Sequence, residues 1–145
     1  MNPSKLSESL SRLVEKYSLS VIYAFGSRSK EALDFVLGRN RILDFKGSDL
    51  DIGVQPQPAV QLSVHQKVDL AAALEDLFEA QRVDLVVLPE ADPFLAANII
   101  RGERLYCRDK TEADEYELYI LRRAGDLAPL ERERIALILG KERRQ

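Results

Sequence analysis

The sequence predicts an α+β fold, and three observations support that prediction. Short apolar runs typical of buried strands recur at 19–25, 49–54 and 82–88. Segments with apolar residues at helical spacing precede, separate and follow these runs. No internal repeat or low-complexity linker interrupts the pattern, and 145 residues suit one folded unit. We therefore expect residues 1–145 to form a single domain.

The composition argues against several classes of protein. Hydrophobic residues make up 46% and charged residues 31% of the chain, and no apolar run approaches the ~20 residues of a membrane span. The polar first residues do not resemble a secretory signal, and the single cysteine, Cys107, permits no disulfide within the chain. We therefore expect a cytoplasmic protein. A net charge of −3 argues against general nucleic-acid binding, which needs a basic face.

The chain up to Gly38 predicts two helices and one strand. Ser4 precedes an apolar stripe at helical spacing and is the expected N-cap of the first helix. The strand Leu19–Phe25 ends at Gly26-Ser27, and a second helix is expected over Ser29–Leu37 with its stop at Gly38. Residues 39–46 mix charged and apolar side chains, and they fit a short strand, an irregular loop or an excursion toward a partner.

The rest of the chain continues the alternation. A second strand is expected over Asp49–Val54, because Pro56 and Pro58 cannot continue a central ladder. A helix from Leu62 to near Ala80 leads to a third strand, Arg82–Leu88, which is apolar enough to be covered on both faces. The remaining expected elements are a helix opened by Asp92-Pro93 and stopped at Gly102, an edge strand at 104–107, and a final helix or helix pair that starts at Thr111 with Asp114 and breaks around 125–129.

Three aspartates are the candidate functional residues. Asp49 and Asp51 alternate with aliphatic residues, so the period of a strand places both carboxylates on one face. Such a like-charged pair is costly unless a cation lies between its members. Asp84 interrupts an apolar strand, where an isolated carboxylate is expensive unless it is neutralised or bound to metal. Taken alone, Asp49 and Asp51 also fit the exposed face of an edge strand.

The turn after the first strand supplies a second part of the candidate site. Gly26-Ser27 on its own fits an ordinary strand-ending turn. Beside three carboxylates, however, its backbone N–H groups and the following helix N-terminus suit the phosphates of a nucleotide. Mg²⁺ prefers carboxylate and phosphate oxygens, and a pair of metal ions stabilises both the attacking and the leaving oxygen. The combination predicts two-metal phosphoryl transfer.

The ordered motifs Y-A-F-G-S-R-S, S-D-L-D-I-G-V and V-D-L-V-V-L resemble those of the polymerase-β-type nucleotidyltransferase superfamily, and the small size resembles its minimal nucleotidyltransferase (MNT) branch. The resemblance implies a nucleotidyltransferase fold: a small mixed sheet at about 19–107, helices mainly on one face, and a C-terminal helical extension at about 111–141. It also implies ATP as substrate with Mg²⁺, expected as two ions.

The resemblance assigns roles to residues of this sequence. Asp49 and Asp51 would bind metal, and Asp84 would be the third metal-site carboxylate, which helps to activate the attacking hydroxyl. The nucleotide-binding segment would comprise Gly26, Ser27, Arg28, Ser29 and Lys30.

The resemblance also implies a partner. Minimal nucleotidyltransferases are often paired with a HEPN-type ribonuclease toxin, and the implied reaction is transfer of AMP from ATP to a tyrosine hydroxyl of that toxin. Two alternatives remain: an antitoxin that neutralises the toxin by complex formation without catalysis, and a nucleotidyltransferase that acts on a small molecule.

Two features depart from the family pattern. Twenty-one residues separate Ser27 from Asp49, more than is usual, so the extra residues at about 32–46 are expected to form an excursion near the nucleotide or the partner. Lys30 stands where an arginine is usual and Glu31 where a glycine is usual, and the added negative charge is expected to lower nucleotide affinity.

Overall fold

The computed structural model describes residues 3–39 and 49–143, and in them five helices pack around one four-stranded sheet. The helices are α1 (Pro3–Lys16), α2 (Ser29–Val36), α3 (Val64–Phe78), α4 (Pro93–Ile100) and α5 (Lys110–Arg143). The strands are β1 (Leu19–Phe25), β2 (Asp49–Pro56), β3 (Arg82–Val87) and β4 (Glu103–Cys107). Among these helices none is long and apolar enough to cross a membrane.

The sheet is mixed, with the order β3-β2-β1-β4. Strand β1 pairs antiparallel with both β2 and β4, whereas β2 and β3 run parallel. Every residue of β1 is buried, as expected for a central strand covered on both sides. The predicted α+β class and mixed sheet are therefore confirmed, and β4 lies at the edge where the sequence placed it.

The strands alternate between two hydrophobic clusters on opposite faces of the sheet. Ile22, Leu50 and Ile52 face a cluster that α1, α2 and α3 complete. Val21 and Tyr23 face the other cluster, which includes residues of α4 and α5. The helices are therefore less one-sided than expected: three cover one face and two cover the other, because both faces of β1 carry apolar side chains that must be buried.

Several predicted boundaries need correction. Helix α1 begins at Pro3, ahead of the predicted cap Ser4, because a proline suits the first helical turn. Strand β2 extends to Pro56, which pairs with Leu19 at the strand end, where a proline disturbs the ladder little. Strand β3 ends at Val87, and the next residues form a short 3₁₀ turn.

The C-terminal segment forms one helix instead of a broken pair. Helix α5 runs from Lys110 to Arg143 without an interruption at Gly125 or Pro129. Leu127, Ala128, Leu130 and Glu131 are strong helix formers, and their preference offsets part of the cost of Gly125 and Pro129. The helix start also differs from the prediction, because the side chain of Asp109, and not that of Thr111, accepts a hydrogen bond from the N–H of Glu112.

Two carboxylates of α5, those of Glu112 and Glu117, hold the helix against the sheet. The hydroxyl of Ser20 on β1 donates to Glu112 at 2.9 Å, and the guanidinium of Arg108 donates to the same carboxylate at 2.7 Å. Further along, the buried hydroxyl of Tyr23 donates to Glu117 at 3.2 Å, and Arg104 of β4 also binds Glu117. Burial and the Glu117 charge together raise the pKa of Tyr23, so this phenol stays neutral.

Candidate active site

The turn at the end of β1 lies directly against the candidate carboxylates. Gly26 follows Phe25, which pairs with Asp51 of β2, and Gly26 adopts a left-handed φ of +76°. A Cβ atom built on Gly26 would lie 2.5 Å from Oδ2 of Asp51. Only glycine therefore permits both this backbone conformation and this close approach. The predicted Gly-Ser turn and the predicted Asp-x-Asp motif meet at this point.

The parallel pairing of β2 with β3 brings the carboxylates together. Asp51 pairs with Asp84, and Asp49 pairs with Arg82 two residues earlier on the same two strands. Leu50 lies buried on the opposite face, as the period of two requires. One patch on the α4 and α5 face of the sheet therefore has four residues at its corners: Asp49, Asp51, Arg82 and Asp84.

The proximity of the three carboxylates in this patch affects the pKa of Asp51. Partial burial, then the charge of Asp84, then that of Asp49 raise the pKa of Asp51 above its ordinary value. Like charges close together produce a shift of this direction. Asp51 is therefore the carboxylate whose ionised form gains most from a nearby cation.

Asp84 has a more open environment than the sequence predicted. Strand β3 lies at the edge of the sheet and is only partly buried, and the Asp84 side chain is 40% exposed. The prediction of an isolated carboxylate in a strand covered on both faces was wrong, because apolar composition does not distinguish an edge strand from a central one.

Arg82 is the residue of the patch that the sequence analysis missed. Its Nε lies 3.1 Å from Oδ1 of Asp84, and its side chain is 68% exposed. Arg82 and Asp84 are two residues apart on a strand and so share a face, as Asp49 and Asp51 do. Applying the same period to the arginine would have placed a positive charge beside the three carboxylates. Arg82 is an internal counter-ion of the acidic patch.

The patch suits a hard divalent cation in the chemistry of its donors, because carboxylate oxygens are the ligands that Mg²⁺ prefers. In the part of the chain that the structure describes, no group of three or more His, Cys, Asp or Glu side chains converges on one metal position. Arg82 occupies one oxygen of Asp84. A metal ion at that oxygen would therefore compete with the guanidinium.

The predicted nucleotide-binding residues follow one another through a helical turn. Gly26, Ser27 and Arg28 form a 3₁₀ turn that continues into α2 at Ser29. The side chains of Ser27 and Lys30 are exposed, Ser29 is partly buried, and each lies next to the Gly26 turn in the chain. This segment can present backbone N–H groups and one lysine ammonium to an anion.

Glu31 is neutralised within the same turn. The Arg28 guanidinium donates to both carboxylate oxygens of Glu31, at 3.0 and 2.8 Å. The negative charge that stands in place of the usual glycine is therefore compensated by the arginine three residues earlier. The effect of Glu31 on nucleotide affinity stays a prediction, and this pair is expected to reduce it.

The first part of the long connection between the two motifs is a helix that packs on the core. This helix is α2, where Ala32 is fully buried and Leu33 packs against the core cluster. Residues 40–48, which hold most of the unassigned segment and the Gly-Ser dipeptide before Asp49, lie outside the described residues.

Family membership follows from the sequence match. Residues 8–111 match the family model of the polymerase beta nucleotidyltransferases, which covers well over half of the chain, so the protein belongs to this family. No curated protein matches the sequence.

Individual solved structures share the fold over nearly the whole chain. A chain of a toxin–antitoxin structure with AMP-PNP is 20% identical with a TM-score of 0.66, over 96% of this chain and 99% of that chain. A chain of the MntA-HepT toxin–antitoxin complex is 22% identical with a TM-score of 0.61, over 96% and 98%. A chain of the complex between the tri-AMPylated HEPN toxin of Shewanella oneidensis and its MNT antitoxin is 23% identical with a TM-score of 0.61, over 97% and 99%. The predicted polymerase-β-type nucleotidyltransferase family is confirmed by the family match, and these structures share the fold.

Proposed function

We propose that this nucleotidyltransferase moves AMP from ATP to a hydroxyl group, a tyrosine hydroxyl of a HEPN-type toxin, and thereby acts as the antitoxin of a cytoplasmic toxin–antitoxin pair. The observation that carries the proposal is the position of Asp51: it stands opposite Asp84 and against the Gly26 turn. A phosphate held at that turn would lie beside the carboxylates, which is the proximity that phosphoryl transfer needs.

The residues of the patch have distinct proposed roles. Asp49, Asp51 and Asp84 would hold the metal, expected as two Mg²⁺ ions, and bound metal would supply neutralisation of the phosphate oxygens. Backbone N–H groups from Gly26 to Arg28, with Ser29 through its hydroxyl and Lys30 through its ammonium, would bind the triphosphate, because the N–H of Ser29 already donates to the Gly26 carbonyl.

The transfer itself needs little covalent chemistry from the protein. The acceptor oxygen attacks the α-phosphorus, the bond to the bridging oxygen breaks and pyrophosphate leaves. The hydroxyl proton passes to Asp84. The Asp84 side chain is partly exposed at the edge strand, so an acceptor hydroxyl can reach it.

The toxin partner is proposed from the solved neighbours. Three of them are chains of toxin–antitoxin structures, one with AMP-PNP and one with an AMPylated HEPN toxin. The shared fold covers nearly all of this chain and nearly all of theirs, which supports a toxin partner for this protein.

A non-catalytic antitoxin is the second candidate. The specific observation in its favour is the Arg82 guanidinium at Oδ1 of Asp84, which would compete with a metal ion for that oxygen. A protein that neutralises its toxin by complex formation alone would retain the fold without binding a metal ion there.

Transfer of a labelled nucleotide tests the proposal. Protein and a candidate HEPN-type partner are incubated with Mg²⁺ and ATP labelled either on the α-phosphate or on the γ-phosphate. The proposal predicts label on the partner from α-labelled ATP alone, and none with Asp49→Asn/Asp51→Asn. Label from γ-labelled ATP would indicate phosphorylation instead, and absence of label with an intact complex would favour the second candidate.

A further inference from the structure

A cavity lies between the 3₁₀ turn after β3, helix α4 and helix α5. Its volume is about 320 Å³, which falls at the lower end of the range of roughly 300–1,000 Å³ for small-molecule sites. Its walls comprise Leu88, Pro89, Ala91, Pro93, Ala96, Tyr116, Tyr119, Ile120 and Arg123. None of these residues belongs to the carboxylate patch or to the Gly26 turn.

The walls form an apolar floor with an aromatic rim. Leu88, Ala96 and Ile120 are almost fully buried. The rings of Tyr116 and Tyr119 lie 6.1 Å apart between centroids, and Tyr119 is 52% exposed. Burial raises the pKa of Tyr116, so its phenol is a neutral hydrogen-bonding group. Such a lining favours a compact aromatic or aliphatic body.

Arg123 contributes the one ionic group of the lining. Its Nη1 donates to the Tyr119 hydroxyl at 3.5 Å, and in the described part of the chain no carboxylate forms an ion pair with it. The two acids beside the lining are engaged elsewhere. Glu90 accepts from Lys67 at 2.6 Å, and Asp92 caps α4 through the N–H groups of its first turn.

We propose that this cavity binds a small amphipathic anion, with an aromatic or aliphatic body against the apolar floor and one carboxylate at Arg123. A guanidinium at the mouth of an apolar cavity binds a carboxylate through charge-assisted hydrogen bonds. The neutral tyrosine hydroxyls add polar contacts without repelling the charge.

The cavity is separate from the proposed catalytic patch. Leu88 lies one residue beyond the end of β3 and four residues after Asp84, a span of about 13 Å for an extended chain. Binding in the cavity is therefore measurable on the protein alone, without ATP, metal or partner, and it does not depend on the proposed catalytic function.

Two isosteric probes test the proposal, 1-naphthoate as the anion and 1-naphthalenemethanol as its neutral counterpart. Titrations followed by calorimetry and by amide chemical shifts should show saturable binding of one naphthoate per chain, with shifts around Tyr116 and Arg123. The alcohol should bind about tenfold more weakly, because it lacks the charge-assisted hydrogen bond.

Matched variants measure the contribution of the positive charge at Arg123 to naphthoate affinity. Arg123→Met should weaken naphthoate binding about tenfold, whereas Arg123→Lys should retain most of it. Arg122→Met is the control, because Arg122 is exposed on the same helix and does not line the cavity. Circular dichroism verifies the fold of each variant. Equal affinity for the two probes, equal losses in the Arg122 and Arg123 variants, or no saturable binding at millimolar concentration would overturn the proposal.

Discussion

Gly26 is the residue whose identity the candidate site restricts most tightly. Gly26→Ala should lower nucleotidyl transfer about 100-fold, because the new methyl group displaces the Asp51 carboxylate. The left-handed φ should also cost about 1–2 kcal/mol of unfolding free energy. Steady-state transfer rates and urea unfolding measure the two effects.

Gly125→Ala is the matched control for that substitution. Gly125 lies within α5, and a Cβ there meets nothing within 4 Å. The change should raise the unfolding free energy by about 0.5–1 kcal/mol and leave transfer unchanged. If Gly26→Ala kept full activity, the close contact between the turn and Asp51 would not matter for the reaction.

Arg82 gives a prediction about metal binding. Arg82→Met removes the internal counter-ion, so Mn²⁺ should bind a few-fold more tightly to the protein without nucleotide, in line with about 0.2–1 kcal/mol for an exposed pair. Calorimetry or paramagnetic resonance measures the affinity. Lys67→Met is the control, since it breaks an exposed ion pair, with Glu90, outside the patch. Unchanged or weaker Mn²⁺ binding would show that Arg82 does not compete with the metal.

At the scale of single residues, the sequence was sufficient to predict the strand face on which Asp49 and Asp51 lie. It was not sufficient to predict which residues stand opposite them. The alternation of Asp49 and Asp51 with aliphatic residues was enough to place both on one face. The opposition of Asp51 and Asp84 depends on the parallel register of β2 and β3, which no local pattern reveals. The Arg28–Glu31 pair was within reach of the sequence, because residues three apart are neighbours on a helical turn.

At the scale of elements, the attachment of α5 to the sheet is pH-dependent. Hydrogen bonds from Arg108 and then Ser20 lower the pKa of Glu112 below its ordinary value of 4.5. The ionised Glu112 therefore contributes stability above that value, and the contribution is lost as the pH falls through the lowered pKa.

Glu112→Gln should accordingly lower the melting temperature at neutral pH, by an amount equivalent to at most about 1 kcal/mol for a partly exposed pair. The difference from wild type should disappear in acid. Glu115→Gln, at an exposed position of the same helix, should show no such pH dependence. A difference that persisted in strong acid would mean that packing, and not charge, accounts for the effect of Glu112.

Elements with strong local signals were predicted almost to the residue. Strand β1 has the predicted bounds because an apolar run ends there at a glycine. Helix α4 begins as predicted because Asp92 caps it and Pro93 fits the first turn. Ser63 and Gln66 form a capping box that the sequence contains and the prediction overlooked, so α3 begins at Val64. The predicted break in α5 gave too much weight to Pro129 and too little to its helix-forming neighbours.

At the scale of the whole molecule, family membership and fold are established, and the reaction and its acceptor are proposals. The three motifs, in their order along the chain, were sufficient to predict the family. Together they supply one turn and three carboxylates, which only the folded sheet brings together. The acceptor was not predictable from physical pattern, since nothing in the charge or periodicity of this chain specifies the hydroxyl of another protein.

The central claim is that the patch of Asp49, Asp51 and Asp84 transfers AMP to a partner protein. The most direct test is the intact mass of a HEPN-type partner co-expressed with wild-type protein or with Asp49→Asn/Asp51→Asn. The account predicts mass increases in whole steps of one AMP with wild type and an unmodified partner with the variant. An unmodified partner in both cases, with its toxicity still neutralised by the variant, would contradict the claim and leave a binding antitoxin on a nucleotidyltransferase fold.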